Sequence, residues 1–139
     1  MDLKVSGYAA AKLREPTSTI FGASYLDTTP FRYFAARIRA DQRRYFINVQ
    51  TSGPVETDLF QHRLFPATPG KWETIIIPWR SFILTNNGRI IERQIEMMRE
   101  SVRSIGISVA DRELDGDFRL EIAWLKAINT EFTDGDVEI

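Results

Sequence analysis

The chain has 139 residues, no cysteine, and a formal net charge of -1 from 18 basic and 19 acidic side chains. The length suits one packed domain, and the near-neutral balance gives no bulk attraction to nucleic acid or to an anionic membrane. Without cysteine, a disulfide framework and any thiolate metal site are excluded, while 43% hydrophobic and 27% charged residues are ordinary globular usage.

Short alternating runs separated by turn residues dominate the chain, which predicts antiparallel β-structure. Met1-Asp2-Leu3-Lys4 opens neither a secretory signal nor an Arg-rich transit peptide. Tyr8 to Leu13 reads as a weak first strand, and Pro16 to Pro30 as a loop crossing one end of a sandwich. Tyr33 to Arg39 alternates, with Phe34, Ala36 and Ile38 on one face. In Tyr45 to Thr51, Tyr45, Ile47 and Val49 share one face, and Phe46, Asn48 and Gln50 the other. Asp58 to Phe65 follows the Gly53-Pro54 break, and Trp72 to Ile77 forms a β-branched strand ended by Pro78.

Between Arg89 and Ser101, the spacing of Ile91, Ile95, Met98 and Val102 predicts one short helix, laid over an open end of the sandwich. Two further strands follow, Val102 to Ala110 and Phe118 to Ile128, before an acidic tail from Thr130 that is expected to fray. Strands in succession, without alternating long helices, indicate an all-β antiparallel sandwich or jelly roll. Residues 1–139 thus read as a single β-sandwich domain.

Signals for catalysis are weak. His62 is the only histidine, and no nucleophile-elbow motif accompanies it, so a structural or interfacial histidine is expected. One histidine without cysteine makes a poor zinc set. Asp111, Glu113, Asp115 and Asp117 fall at alternate positions, which could hold Ca²⁺ or supply a carboxylate pair. The stretch lacks the EF-hand pattern, however, and Asp115-Gly116 is an ordinary hairpin signal.

Signals for binding are stronger. Asn87-Gly88 favours a turn with positive φ, which would present Asn86 and Arg89. Arginine offers planar, bidentate donors for a partner's carboxylate or backbone. If the strands holding them pair, Asn48, Gln50, Gln61 and Arg63 would line one polar strip, suited to a sugar or to a protein surface. The alternative is a solvated outer sheet face. Candidate partner-binding residues are therefore Gln61 and Arg63 on a strand, with Asn86, Asn87, Arg89, Asp111 and Arg112 as a loop-borne polar patch. Tyr33, Tyr45 and Trp79 are available for stacking in a carbohydrate-binding module, the competing reading.

Several segments carry a family resemblance in the right order and spacing. They are Arg44-Tyr45-Phe46-Ile47-Asn48-Val49-Gln50-Thr51, Phe60-Gln61-His62-Arg63-Leu64 and Trp72-Glu73-Thr74-Ile75-Ile76-Ile77-Pro78. Phe82-Ile83-Leu84-Thr85-Asn86-Asn87-Gly88-Arg89, Ser104-Ile105-Gly106-Ile107-Ser108-Val109-Ala110-Asp111 and Phe118-Arg119-Leu120-Glu121-Ile122-Ala123-Trp124 complete the set. Together they resemble the complex I intermediate-associated protein family, mitochondrial assembly factors for NADH:ubiquinone oxidoreductase, and fungal members in particular.

The resemblance implies a galactose-binding-like jelly roll with no catalytic residues and no cofactor. It also implies a mitochondrial matrix location, peripheral to the inner membrane at most, and a chaperone-like role. The partners it implies are other complex I assembly factors and membrane-arm intermediates, with no nucleic acid. Family members usually carry a further stretch before the position of Leu3, so this chain is expected to lack its first strand or strands. That would leave a sheet edge open to pairing with a copy or a partner.

Overall fold

The computed structural model describes residues 25–110 and 118–129, with side chains for 25–109 and 118–129, and the backbone of short strands elsewhere. Among the described residues thirteen strands succeed one another: β1 (Asp2–Leu3), β2 (Tyr8–Arg14), β3 (Ser18–Thr19), β4 (Gly22–Ala23), β5 (Tyr33–Ala40), β6 (Tyr45–Thr51) and β7 (Asp58–Leu64). Then come β8 (Trp72–Pro78), β9 (Ile83–Asn86), β10 (Arg89–Ile90), β11 (Val102–Ala110), β12 (Phe118–Ile128) and β13 (Val137–Glu138). One sheet has the order β1-β12-β5-β8, with β13 also on β12. The second has the order β10-β9-β7-β6-β11-β2, and β3-β4 form a separate pair. Every pairing is antiparallel, and the two large sheets make the sandwich that the alternating runs indicate.

Alternation in sequence becomes burial in space. On β5, Phe34, Ala36 and Ile38 are fully buried, and from the facing sheet Tyr45, Ile47 and Val49 of β6 meet them in the same core. Ile105, Ile107 and Val109 of β11, Phe60 and Leu64 of β7, and Phe118 and Leu120 of β12 complete it. Side chains of this size contribute about 1.5–3 kcal/mol each when buried. Phe34 packs edge-on to Trp79 at 5.6 Å and to Phe82 at 6.3 Å, and Trp79 stacks on Phe82 at 5.8 Å. Tyr45 and Trp79, expected to be available for stacking on a ligand, are each 1% exposed and belong to the core.

The Tyr45 hydroxyl ties the core to a surface clip. It donates to Asp41 Oδ1 at 2.7 Å, while Asp41 also accepts from the backbone N–H of Arg43 and of Arg119. Burial, reinforced by the bond to Asp41, pushes the Tyr45 phenol up.

The expected helix between Arg89 and Ser101 is absent: the segment opens with β10 at Arg89–Ile90 and closes with a 3-10 turn at Arg99–Ser101. Gln94 gives the reason: its Oε1 accepts from the Leu84 N–H at 2.8 Å and its Nε2 donates to the Leu84 carbonyl at 3.0 Å. The carboxamide therefore acts as a surrogate peptide group on the edge of β9, holding the segment after β10 against that strand. Ile91 and Met97 pack against the core, whereas Ile95 and Met98 are exposed, a spacing no helix would produce.

The segment expected to cross an end of the sandwich does so where it is described. Leu26 bridges to Val102, and Thr28, fully buried, donates its hydroxyl to the Arg99 carbonyl at 2.9 Å. Arg99 returns bonds to the carbonyls of Thr28 and Phe31.

Candidate partner-binding surfaces

Strands β6 and β7 pair with Asn48 opposite Gln61 and Phe46 opposite Arg63, so the strip predicted from Asn48, Gln50, Gln61 and Arg63 does form. It lies on the outer face of the six-stranded sheet, because Ile47, Val49, Phe60 and Leu64 take the inner face. Pairing with β11 adds Ser104 opposite Gln50 and Ser108 opposite Phe46.

Within this strip Asn48 and Gln50 are neither solvated nor free. Asn48 and Gln50 are 8% and 9% exposed, and Ser104 and Ser108 are also buried. Gln61 Nε2 donates to Asn48 Oδ1 at 2.7 Å, and Asn48 Nδ2 donates to Ser108 Oγ at 3.0 Å. Ser104 Oγ donates to Gln50 Oε1 at 3.2 Å, and Gln50 Nε2 donates to the Glu56 carbonyl at 2.8 Å. The amides thus form cross-strand ladders that satisfy one another. A sugar could engage them only by breaking bonds already made.

What this face shows to solvent lies beside the ladders. Arg63 is exposed, and its guanidinium lies 4.5 Å from the centre of the exposed Phe65 ring. Gln61 stands opposite Ile83 of β9, which is 44% exposed, and Thr85 stands opposite Ile90 of β10, which is 72% exposed. An arginine beside exposed apolar side chains is the chemistry of a protein interface rather than of a catalytic cleft.

The Asn87-Gly88 turn is present as predicted, with φ of 49° and 79°, and it joins β9 to β10 as a hairpin, so Leu84 to Asn86 are strand rather than loop. Two successive positive φ values suit asparagine and glycine. Asn86 is a structural residue: its Nδ2 donates to Thr57 Oγ1 at 2.8 Å and to Asp58 Oδ1 at 2.7 Å. Asn86 and Arg89 stand opposite one another in register with Leu84, so they point to the core side and away from Gln61 and Arg63. Asn86 and Arg89 therefore lie on the opposite side of the sheet from Gln61 and Arg63. Asp111 and Arg112, and the whole carboxylate series to Asp117, lie outside the described residues.

His62 points inward. Its Nδ1 lies 2.7 Å from the Arg63 carbonyl, and its ring is 5.6 Å from that of Phe82, a structural setting.

Sequence reasoning missed the outer face of the five-stranded sheet. There Trp72, 40% exposed, stands opposite Arg39, whose guanidinium is 5.1 Å from the indole centre. Arg37 stands opposite Trp124 and donates to Thr74 Oγ1 at 3.0 Å, and the Lys126 ammonium lies 4.3 Å from the Trp124 ring. Glu121 accepts from Arg39 and from Arg119, and these bonds, that of Arg39 first, hold its carboxyl down at about 2. The signal was legible as alternation on Tyr33 to Arg39, whose odd positions are Tyr33, Ala35, Arg37 and Arg39.

The architecture defines an antiparallel β-sandwich of the kind found in carbohydrate-binding modules. A family 11 carbohydrate-binding module from Clostridium thermocellum, solved with a beta-1,3-1,4-mixed-linked tetrasaccharide, superposes with a TM-score of 0.53 over 94% of this chain and 87% of its own, at 16% identity. At that identity the likeness is one of fold alone. The family is given by sequence: residues 2–122 match the profile of complex I intermediate-associated protein 30, and the chain belongs to that family. Similar proteins include the mitochondrial complex I intermediate-associated protein 30 of Neurospora crassa, 42% identical over 99% of this chain and 49% of the relative. The Drosophila melanogaster protein of the same name is 28% identical over 88% of this chain and 43% of its own, and that of Mus musculus 26% identical over 89% and 38%. The chain spans about half or less of the length of these relatives.

Proposed function

We propose that the chain is a non-enzymatic, chaperone-like scaffold that binds early membrane-arm intermediates of respiratory complex I together with other assembly factors. It would act in mitochondria, on the matrix side of the inner membrane. The observation that carries this reading is the family match over residues 2–122, with relatives named as mitochondrial complex I intermediate-associated proteins. The exposed Arg63-Phe65 pair, on the same outer face as the exposed Ile83 and Ile90, supports it, as surface suited to a protein partner. Among the described residues, the bonded amide ladders and the burial of Tyr45 and Trp79 weigh against the carbohydrate reading.

Pull-down of the full-length protein from mitochondria, followed by mass spectrometry, tests the reading. Wild type should recover complex I membrane-arm subunits. Arg63→Ala should lower that recovery more than Arg89→Ala, which changes the opposite side of the hairpin. Equal recovery by all three would remove Arg63 from the interface, and recovery of no complex I subunit by wild type would overturn the function.

A further inference from the structure

The five-stranded sheet ends on β8, and among the described residues no backbone hydrogen bond from Trp72–Pro78 reaches anything but β5. The pairing runs from Arg39↔Trp72 to Tyr33↔Pro78 without a register shift. Such an edge presents a row of unpaired N–H and C=O groups, a template for an added strand. Proteins usually blunt it with a bulge, a proline, a charge or a covering segment. On β8 the proline is the last residue, and the charged Glu73 is engaged elsewhere, accepting from the backbone N–H of Ala67 at 2.7 Å and of Thr68 at 2.9 Å.

Elsewhere the sheet margins are interrupted or covered. β2, which ends the six-stranded sheet, meets β11 across a register shift between Ile105 and Gly106, and β9 is flanked by β10 and by the Gln94 carboxamide. The far side of β12 carries β1 at one end and β13 at the other, with a register shift between Ile122 and Trp124.

Register gives the edge its chemistry. Trp72, Thr74 and Ile76 face outward, opposite Arg39, Arg37 and Ala35 of β5. Arg37, Arg39, Arg119 and Lys126 share this face; Glu121 accepts from Arg39 and Arg119, and register sets Asp2 opposite Arg119 and Glu138 opposite Lys126, so the cations nearest β8 are Arg37 and Arg39. A strand added to β8 would set its alternate side chains beside Trp72 and within reach of the arginines. A second copy would bring Arg37 and Arg39 of one molecule towards those of the other, and β8 offers no outward acid to offset them. An anionic bilayer has no peptide groups to pair with the edge.

We propose that the β8 edge is a strand-addition site for an extended acidic segment of a partner protein, with main-chain pairing to Trp72–Ile77 and carboxylates directed to Arg37 and Arg39. The proposal rests on the reading of the chain as a protein-binding scaffold, yet its test needs no complex I component.

The probes are three blocked peptides matched to the 7 residues of β8: alternating Glu-Val, alternating Lys-Val, and Glu-Val N-methylated at every second residue. The Glu-Val peptide should bind the full chain in a salt-dependent manner and slow amide exchange in Trp72–Ile77. The Lys-Val and N-methylated peptides should bind at least about tenfold more weakly, and the Arg37→Gln/Arg39→Gln variant should lose about fivefold for the Glu-Val peptide. Equal binding of the N-methylated peptide would overturn strand addition, and equal binding of the Lys-Val peptide would overturn the acidic specificity. No slowing of β8 exchange at millimolar Glu-Val peptide would overturn the site. So would self-association that protects β8, or binding to phosphatidylserine vesicles with none to the peptide. Failure to recover complex I subunits in the pull-down would leave these peptide results standing, so the two readings fail separately.

Discussion

On the outer face of the six-stranded sheet, Asn48 and Gln50 are 8% and 9% exposed and their amides are joined to neighbouring strands. On the outer face of the five-stranded sheet, Trp72 is 40% exposed and lies under the guanidinium of Arg39. Both faces alternate polar with apolar in sequence, yet one turns its polar groups into internal structure and the other displays its charges. Polar residues on a strand therefore identify a binding surface only after their hydrogen bonds have been assigned. The amide ladders fix the register of β6, β7 and β11, while the recognition chemistry lies at the exposed cations and the apolar side chains beside them.

Substitutions should separate the two faces by size of effect. The largest is expected for Asn48→Ala, which strips Gln61 and Ser108 of a buried partner and should cost about 2–3 kcal/mol. Urea unfolding should show a lower midpoint with an unchanged slope; a loss under about 0.5 kcal/mol would reduce the ladder to a surface contact. Next comes Gln94→Ala, which frees the Leu84 N–H and leaves the Leu84 carbonyl with the Ile91 N–H alone. It should cost about 1 kcal/mol and speed hydrogen exchange at Leu84, leaving β8 unchanged.

The smallest effect belongs to the displayed charges and depends on pH. The Glu121 carboxyl is lowered from its ordinary value of 4.5 to about 2, so the folded state favours its ionised form. Its contribution is fully present above 4.5 and is lost as pH falls from there through about 2. Glu121→Gln should therefore be slightly less stable than wild type at neutral pH, and the two should converge as pH falls through that window. A constant difference across the window would contradict the ion pairing with Arg39 and Arg119.

Much of the fold was legible because period-two alternation maps directly onto burial in a two-layer sandwich. The inner faces of β5, β6 and β11 follow from Phe34-Ala36-Ile38, Tyr45-Ile47-Val49 and Ile105-Ile107-Val109. The segment from Arg89 to Ser101 was misread because its apolar spacing suits a helix, and a single long-range carboxamide contact from Gln94 decides otherwise. The binding strip was half legible: its residues share a face as expected, but their mutual satisfaction depends on Ser104 and Ser108, about 55–60 residues away in the chain. Trp79 and Tyr45 could not be separated from Trp72 by composition, since aromatic rings suit a core as well as a surface. The Arg39-Trp72 contact needed the β5-β8 pairing to become visible, and the Trp124-Lys126 pair faces outward because β12 shifts register between Ile122 and Trp124.

The proposed function is that this β-sandwich serves complex I assembly by binding protein. Deleting the gene in its native host and resolving the respiratory complexes on a native gel tests it most directly. The account predicts loss of mature complex I with accumulation of membrane-arm intermediates, restored by the wild-type protein. Normal levels of complex I after deletion would contradict it.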